Sequence, residues 1–563
     1  MVSRREFLAA ASAAAVVAAR LGTSVRAMAA GARLSEHELL DFDAVGNVTL
    51  LHLTDLHAQL RPIYFREPSI NYGVGEAKGR PPHLVDAEFR SHFHVTADTA
   101  QAYALTADDF SELARTYGKM GGVDRIATVV NRVRADRGDR VLFLDGGDTW
   151  TNSWTSLKTN GQDMVDVMAL LKPDAMTGHW EFTLGEARVR EIVDKLGFPF
   201  LAQNVRDTEF EDKVFPTSQI FERGGSKIGV IGQAFPFTPV ANPRWMFPKW
   251  TFGIREAELR QEVQALRQRG VDIVVLLSHN GFDVDRALAT RVPDIDVILS
   301  GHTHDAVPEI TKVGNALLVS SGSNGKFISR LDLDIRNKKI ADYRYRLIPI
   351  FSDAISPDAA VAQKIDSVRA PYEGELKRVL GQTDDLLFRR GSFDGPLDSL
   401  ICDAIIERRD VEVALSPGLR WGTSVLPGSP ITFEDIANAT AITYPACYRT
   451  TMKGQQLKAI LEDVGDNIFN PDPYYQQGGD MVRCGGIGYT IDISAPIGKR
   501  ISNMTLLRTG APIDDEKSYT VGGWASVNQG TQGPPIWDVV AEYIVGKKVI
   551  GASQASKIEV KGA

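Results

Sequence analysis

Short, mostly apolar runs recur at 48–53, 140–144, 228–231, 272–277 and 297–299. Runs of this length without strict alternation suit strands covered on both faces. Between them the period changes. Residues 123–134 and 254–269 repeat apolar positions at intervals of three and four with charges between, which predicts amphipathic helices. The alternation of the two patterns from 48 to about 349 predicts a layered α/β domain. Ligands in such folds gather beyond the carboxyl ends of strands. Residues 61–117 break the pattern: they are weakly periodic, contain Pro and His, and read as an insertion. Residues 358–380 predict a charged connecting helix, and the chain from 381 onward predicts an α+β domain with strands at 411–415 and 489–493.

A length of 563 residues agrees with two domains rather than one core. Apolar content of 43% and charged content of 24% are those of an ordinary globular protein. The net charge of −8 leaves no basic surplus for phosphate backbones, which argues against a nucleic-acid binder. The N-terminus carries Ser3-Arg4-Arg5-Glu6-Phe7-Leu8, an Ala/Val-rich stretch over 8–19, and a small-x-small site at Ala27-Met28-Ala29. This predicts a twin-arginine export signal over 1–29, a folded route to the periplasm and no membrane insertion, since the apolar part is too short and Ala-rich for a stable span. The expected organisation is then a domain over 30–349 with the 61–117 insertion, a linker helix over 350–380 and a C-terminal domain over 381–563. Cys402, Cys447 and Cys484 show no zinc-type spacing, and either one disulfide with a free thiol or three buried thiols fits.

Candidate chemistry concentrates at the ends of the predicted strands. Thr54-Asp55-Leu56-His57, Gly146-Gly147-Asp148, Gly178-His179-Trp180-Glu181, Ser278-His279-Asn280 and Gly301-His302-Thr303-His304 place two carboxylates and five of the chain's ten histidines there. Asp55 and His57 are two apart, as are His302 and His304. In extended chain that spacing sets both side chains on one side, so each pair can act as a pincer. A carboxylate can bridge two cations, and a mixed N/O set without Cys fits Mn²⁺, Zn²⁺ or Fe. His37, His52, His83, His92 and His94 are expected to be bland surface residues.

These motifs resemble the calcineurin-like metallophosphoesterases, and within them the 5'-nucleotidase branch. The resemblance implies a four-layer α-β-β-α dimetal domain joined through a helix to an α+β 5'-nucleotidase-type domain. It also implies that Asp55, His57, Asp148 and His304 hold one metal. Asp148, as a bridge, with His179, His279 and His302 would hold the other. Two departures stand out. The family motif Gly-Asn-His-Glu reads Gly178-His179-Trp180-Glu181, so the family's general acid is a Trp, which only donates a hydrogen bond. A general acid typically contributes ~10²–10⁴-fold, which a poor leaving group cannot forgo. The base-stacking segment reads Gly522-Gly523-Trp524-Ala525-Ser526-Val527-Asn528-Gln529-Gly530 and lacks the second aromatic. Leu415-Ser416-Pro417-Gly418-Leu419-Arg420 resembles the family's phosphate-binding loop and keeps Arg420.

Together these features are similar to the thiosulfohydrolases of periplasmic sulfur oxidation, a dimanganese group of this branch. The resemblance implies two divalent ions, Mn²⁺ before Zn²⁺ or Fe, and a SoxYZ-type carrier protein bearing a cysteine-S-thiosulfonate as partner. It implies attack of a metal-bridging hydroxide on the sulfonate sulfur, release of sulfate, and departure of a persulfide-like sulfur that needs little protonation. Arg420 and Trp180 would stand at the reacting group. The alternative is a secreted 5'-nucleotidase or 2',3'-cyclic-nucleotide phosphodiesterase.

Overall fold

The apolar runs become strands because both faces of each are covered. All six residues of Val48–Leu53 are buried, as are all six of Ile273–Ser278. Alternate positions feed different layers. Val48, Leu50, Leu142, Leu144, Val275 and Leu277 share one cluster, whereas Leu51, Leu53 and Phe143 join the cluster beneath the helices. The first cluster draws on both sheets of the N-terminal half and lies between them. In this computed structural model residues 34–553 and 555–563 are described, so the predicted export signal over 1–29 lies outside the described residues.

One sheet has five strands, in the order Lys339–Pro349, Phe327–Arg336, Val48–Leu53, Val141–Asp145 and Ala175–Met176. The other has six, in the order Thr311–Val313, Ala316–Ser320, Val297–Ser300, Ile273–Ser278, Ser226–Gln233 and Ser218–Arg223. Val48–Leu53 runs parallel to Val141–Asp145, with Leu50 beside Leu142. Ile273–Ser278 runs parallel to both Ser226–Gln233 and Val297–Ser300. Helices Val123–Arg137 and Glu256–Gln268 cover the sheets with their apolar stripes, Ile126, Val130 and Val133 on one and Leu259, Val263 and Leu266 on the other. The result is the α-β-β-α layering, with the carboxyl ends of the central strands opening on one side.

Residues 61–117, read as a weakly periodic insertion, form the helices Asp86–Phe93, Ala100–Leu105 and Phe110–Tyr117. These are too short to show a period, and aromatic packing holds them, Tyr103 lying 5.6 Å from Phe110 and 6.2 Å from Phe351. The helix expected over 358–380 is three elements, Ala359–Arg369, Glu373–Leu376 and the strand Val379–Thr383. Pro371 breaks it, having no N–H to continue the ladder.

The C-terminal half is α+β. Strands Val413–Ser416 and Ile487–Asp492 lie in separate four-stranded sheets. Helix Pro396–Arg409 buries Leu397, Leu400, Ile401 and Ile405. Cys402, Cys447 and Cys484 are all buried free thiols, which resolves the cysteine alternatives without a disulfide. The halves meet through a buried ion network. Glu67, in the insertion, accepts from Lys326 Nζ at 2.7 Å and from Arg390 Nη1 at 2.9 Å.

Candidate metal centre

Each candidate ligand sits in a loop that follows a strand, and the loops are laced by their backbones. The amides of Asp55 and His57 donate to the carbonyls of Gly147 and Asp148 at 2.9 and 2.7 Å. The amide of His302 donates to both Asp55 carboxylate oxygens, at 3.1 and 3.0 Å. Gly147 has φ +92, and a Cβ there would come within 2.9 Å of Gly178 Cα, so only glycine lets the second and third loops touch. Asp55, His57, Asp148, His302 and His304 all have positive φ: 52°, 49°, 57°, 78° and 63°. Asp and His tolerate this region better than most residues, yet each instance costs of order 1–3 kcal/mol. The extended pincers expected from the sequence are therefore left-handed turns. One of them does not pinch at all, because His302 and His304 go to different groups.

Those groups are Asp55, His57, Asp148 and His304, and Asp148, His179, His279 and His302. Within each, one ligand atom per residue lies within 4.8 Å of all the others, and every residue is buried. Asp148 belongs to both, as a bridging carboxylate must. His57 Nε2 and His304 Nε2 are 2.9 Å apart, and His179 Nδ1 and His279 Nε2 stand 3.2 and 3.1 Å from Asp148 Oδ2. Supporting contacts fix the tautomers. His279 Nδ1 donates to the Gly146 carbonyl at 2.7 Å, His302 Nε2 donates to the Gln477 carbonyl at 2.8 Å, and His57 Nδ1 meets Asn152 Oδ1 at 3.1 Å.

The electrostatics suit cations. Burial pushes His57, His179, His302 and His304 down, leaving neutral imidazoles with free lone pairs. Burial opposes charge on Asp55 and Asp148 too, but the surrounding imidazoles hold both below the usual carboxylate range. His279 is the exception: burial would lower it, yet Asp148 and Asp55 raise it to about 10. The proton it holds between two carboxylates is the one a cation displaces. The donor set and its charge fit two divalent ions.

Four further residues support the ligands, and of these the sequence marked only Glu181, by its place in the Gly178-His179-Trp180-Glu181 segment. Glu181 accepts from the amides of Asp148, Thr149, Trp150 and His179 at 3.3, 2.6, 3.3 and 2.8 Å, tying two ligand loops to one carboxylate. Asp285 gathers Ser278, Asn280 and Ser300 at 2.7, 2.9 and 2.6 Å, joining the His279 and His302 loops. Phe235 packs between two imidazoles, 4.0 Å from His179 and 4.1 Å from His302. Trp421 stacks on His57 at 4.9 Å. Apart from its place in the Gly-x-x-Glu motif, nothing in Glu181's neighbourhood marks it, and the other three are tertiary contacts.

A cavity of about 150 Å³ opens onto the ligands, lined also by Trp180, Phe235, Leu419, Arg420, Trp421 and Gly478. Trp180 keeps the backbone duty of its position, its amide donating to Asp148 Oδ1 at 2.8 Å, while its ring packs on Trp421 and Tyr444. Arg420 lines the cavity, but its guanidinium also donates to the carbonyls of His302 and Thr303. Trp524 is buried, with Nε1 on Ser416 Oγ at 2.8 Å, so the surviving aromatic of that segment offers no free stacking face. Of the remaining histidines, His37, His92 and His94 are exposed as expected. His52 is fully enclosed, its Nδ1 on Ser321, and so is not a surface residue, while His83 is partly exposed and held by Asp283 at 2.7 Å.

Residues 48–306 match the calcineurin-like phosphoesterase family, and residues 379–542 match the 5'-nucleotidase C-terminal domain. The chain is 23% identical over 532 residues to mouse 5'-nucleotidase, covering 83% of this chain and 90% of that protein. Among solved structures, the Thermus thermophilus sulfate thiohydrolase SoxB in complex with glycerol superposes with a TM-score of 0.90 at 35% identity, covering 93% of this chain and 98% of that one. A 5'-nucleotidase precursor from Thermus thermophilus shares the fold at a TM-score of 0.72 and 22% identity, over 92% of this chain and 100% of that one.

Proposed function

The chain belongs to the metallophosphoesterase family that joins a calcineurin-like domain to a 5'-nucleotidase C-terminal domain and that includes SoxB, and from that premise we propose that it is a thiosulfohydrolase. The family makes it a metal-dependent hydrolase with a dimetal site. The proposed reaction releases sulfate from a cysteine-S-thiosulfonate on a SoxYZ-type carrier in the periplasm, with Mn²⁺ as the preferred ion.

One observation carries this reading. Every titratable side chain lining the cavity is a member of the two ligand groups, except Arg420. Among the described residues no free acid lines this cavity, and Trp180 occupies the place where one would be. A sulfur leaving group of low basicity is the substrate such a site can serve. When bound, two divalent cations would neutralise the sulfonate oxygens and supply an acidified water as nucleophile. The protein's own part is positional. Arg420 adds positive charge beside the anion, and the indole of Trp180 covers the reacting group and keeps bulk water off it.

Mass spectrometry of a carrier bearing the S-thiosulfonate, before and after incubation with the metal-loaded protein, tests the proposal. Loss of one sulfonate group with sulfate release is the expected result. Fast hydrolysis of AMP or a 2',3'-cyclic nucleotide, with the carrier untouched, would replace it with the nucleotidase reading that the curated relatives suggest.

A further inference from the structure

Helix Gly454–Phe469 packs into the C-terminal core through Leu457, Leu461 and Phe469. The chain that leaves it returns to strand Arg483–Gly485 by a loop tied down on both sides of its tip. Gln476 Nε2 donates to the Asn470 carbonyl at 2.7 Å, and Asp480 Oδ2 accepts from Arg483 Nη2 at 2.6 Å. Between them, residues 477–479 line the cavity beside the ligands, as does Asn467 on the helix. Asn467 holds this tip twice. Its Oδ1 accepts from Gln477 Nε2 at 2.8 Å, and its backbone carbonyl accepts from the Gly478 amide at 3.3 Å. The tip presents the Gln477 carbonyl to His302, 2.8 Å from Nε2. Gly478 makes that approach possible: its φ is +70°, and a Cβ there would lie 2.8 Å from the same Nε2.

The support is unequal between the two ligand groups. His57 and His279 take their supporting oxygens from Asn152 and Gly146, within the metal domain. His302 takes its own from the other half of the molecule. With Nε2 donating, Nδ1 is the nitrogen left for a cation, and the ring cannot turn over without giving up its acceptor. Among the described residues, no hydrogen bond joins residues 477–479 to Asp55, His57 or His304. We propose that Gln477 and Gly478, set in place by Asn467, are positioning residues for one metal only, the ion of the Asp148, His179, His279 and His302 group. The C-terminal half thereby sets how tightly that ion is held, while the ion of the Asp55, His57, Asp148 and His304 group does not depend on this loop. The proposal rests on the dimetal site and not on the reaction proposed above.

The test equilibrates the full-length, Mn²⁺-loaded protein against a graded chelator, with no substrate present, and counts the metal that stays bound. Anomalous diffraction at the manganese edge then identifies the position that empties. In Gly478→Ala, the ion of the His302 group should be released at ~10–100-fold higher free Mn²⁺ than in the parent, the weight of an outer partner to a ligand. Asn467→Leu keeps the shape and removes the side-chain acceptor while leaving Gly478 in place. There the same ion should weaken about three- to tenfold, the weight of one neutral hydrogen bond. If Gly478→Ala does not fold, the Asn467→Leu curve decides alone. Release within twofold of the parent overturns the proposal. So does equal weakening of both ions, which would mean a general loosening, and so does emptying of the other position first. Failure of the carrier to turn over would remove the proposed reaction and leave this result untouched.

Discussion

At the scale of single residues, the exchange at positions 179 and 180 defines the site. His179 offers an imidazole where the Gly-Asn-His-Glu motif that the segment resembles has an amide, and its removal should open one metal's shell. His179→Ala is expected to bind one cation in place of two and to lose at least ~10²-fold in rate, more than loss of an outer-shell partner costs; elemental analysis with a turnover assay checks both. Full occupancy and rate would remove His179 from the ligand set. Trp180→His restores the family's acid, and hydrolysis of the sulfonated carrier should not rise. A tenfold increase would show that the leaving group needs protonation after all. The ligands were legible because Asp and His at strand ends are few and their spacing is specific. Phe235 and Trp421 were not, because an aromatic residue looks the same in a core as against an imidazole, and only the centroid distances of 4.0 and 4.9 Å separate the cases.

At the scale of elements, strand ends were readable and loop geometry was not. Periodicity carries burial, and Val48–Leu53 and Ile273–Ser278 are buried throughout. It carries nothing about sign of φ, so the left-handed turns at Asp55 and His302 lie beyond what it reports. The insertion shows the same limit. Its His83 is tied to Asp283, at the start of helix Phe282–Arg291, and so fastens the insertion to the metal domain. Burial pushes His83 down, but the Asp283 hydrogen bond and charge raise it above its ordinary 6.5. Burial pushes Asp283 up, but His83 and Arg286 hold it below its ordinary 3.8. A raised His contributes stability that is full below 6.5 and is lost as pH rises through its folded value; a lowered Asp contributes stability that is full above 3.8 and is lost as pH falls through its folded value. His83→Gln should therefore cost most between those two values, roughly 1–3 kcal/mol, with the gap closing on either side. Urea midpoints of parent and variant across that range measure it, and a gap independent of pH would assign the contact to packing alone.

At the scale of the whole molecule, the two-domain plan was visible in length and patterning, while the join was not. The ion network of Glu67, Lys326 and Arg390 links residues far apart in sequence, which no local pattern reports. More consequential is what the C-terminal half does to the metal loop. Arg390 donates to the carbonyls of His304 at 2.8 Å and Thr303 at 3.2 Å, and Arg420 to those of Thr303 and His302. These are the backbone atoms of a loop with two left-handed ligand residues, and the donors help pay for that conformation. A fragment over 34–349 should bind divalent cations at least tenfold more weakly than the full chain by calorimetry, and equal affinity would show the loop to be self-supporting. The same four hydrogen bonds make the halves a single heritable unit. Exchanging the C-terminal half to alter substrate choice would also re-seat two metal ligands, so specificity can drift in this lineage only as fast as two arginines keep their register on residues 302–304.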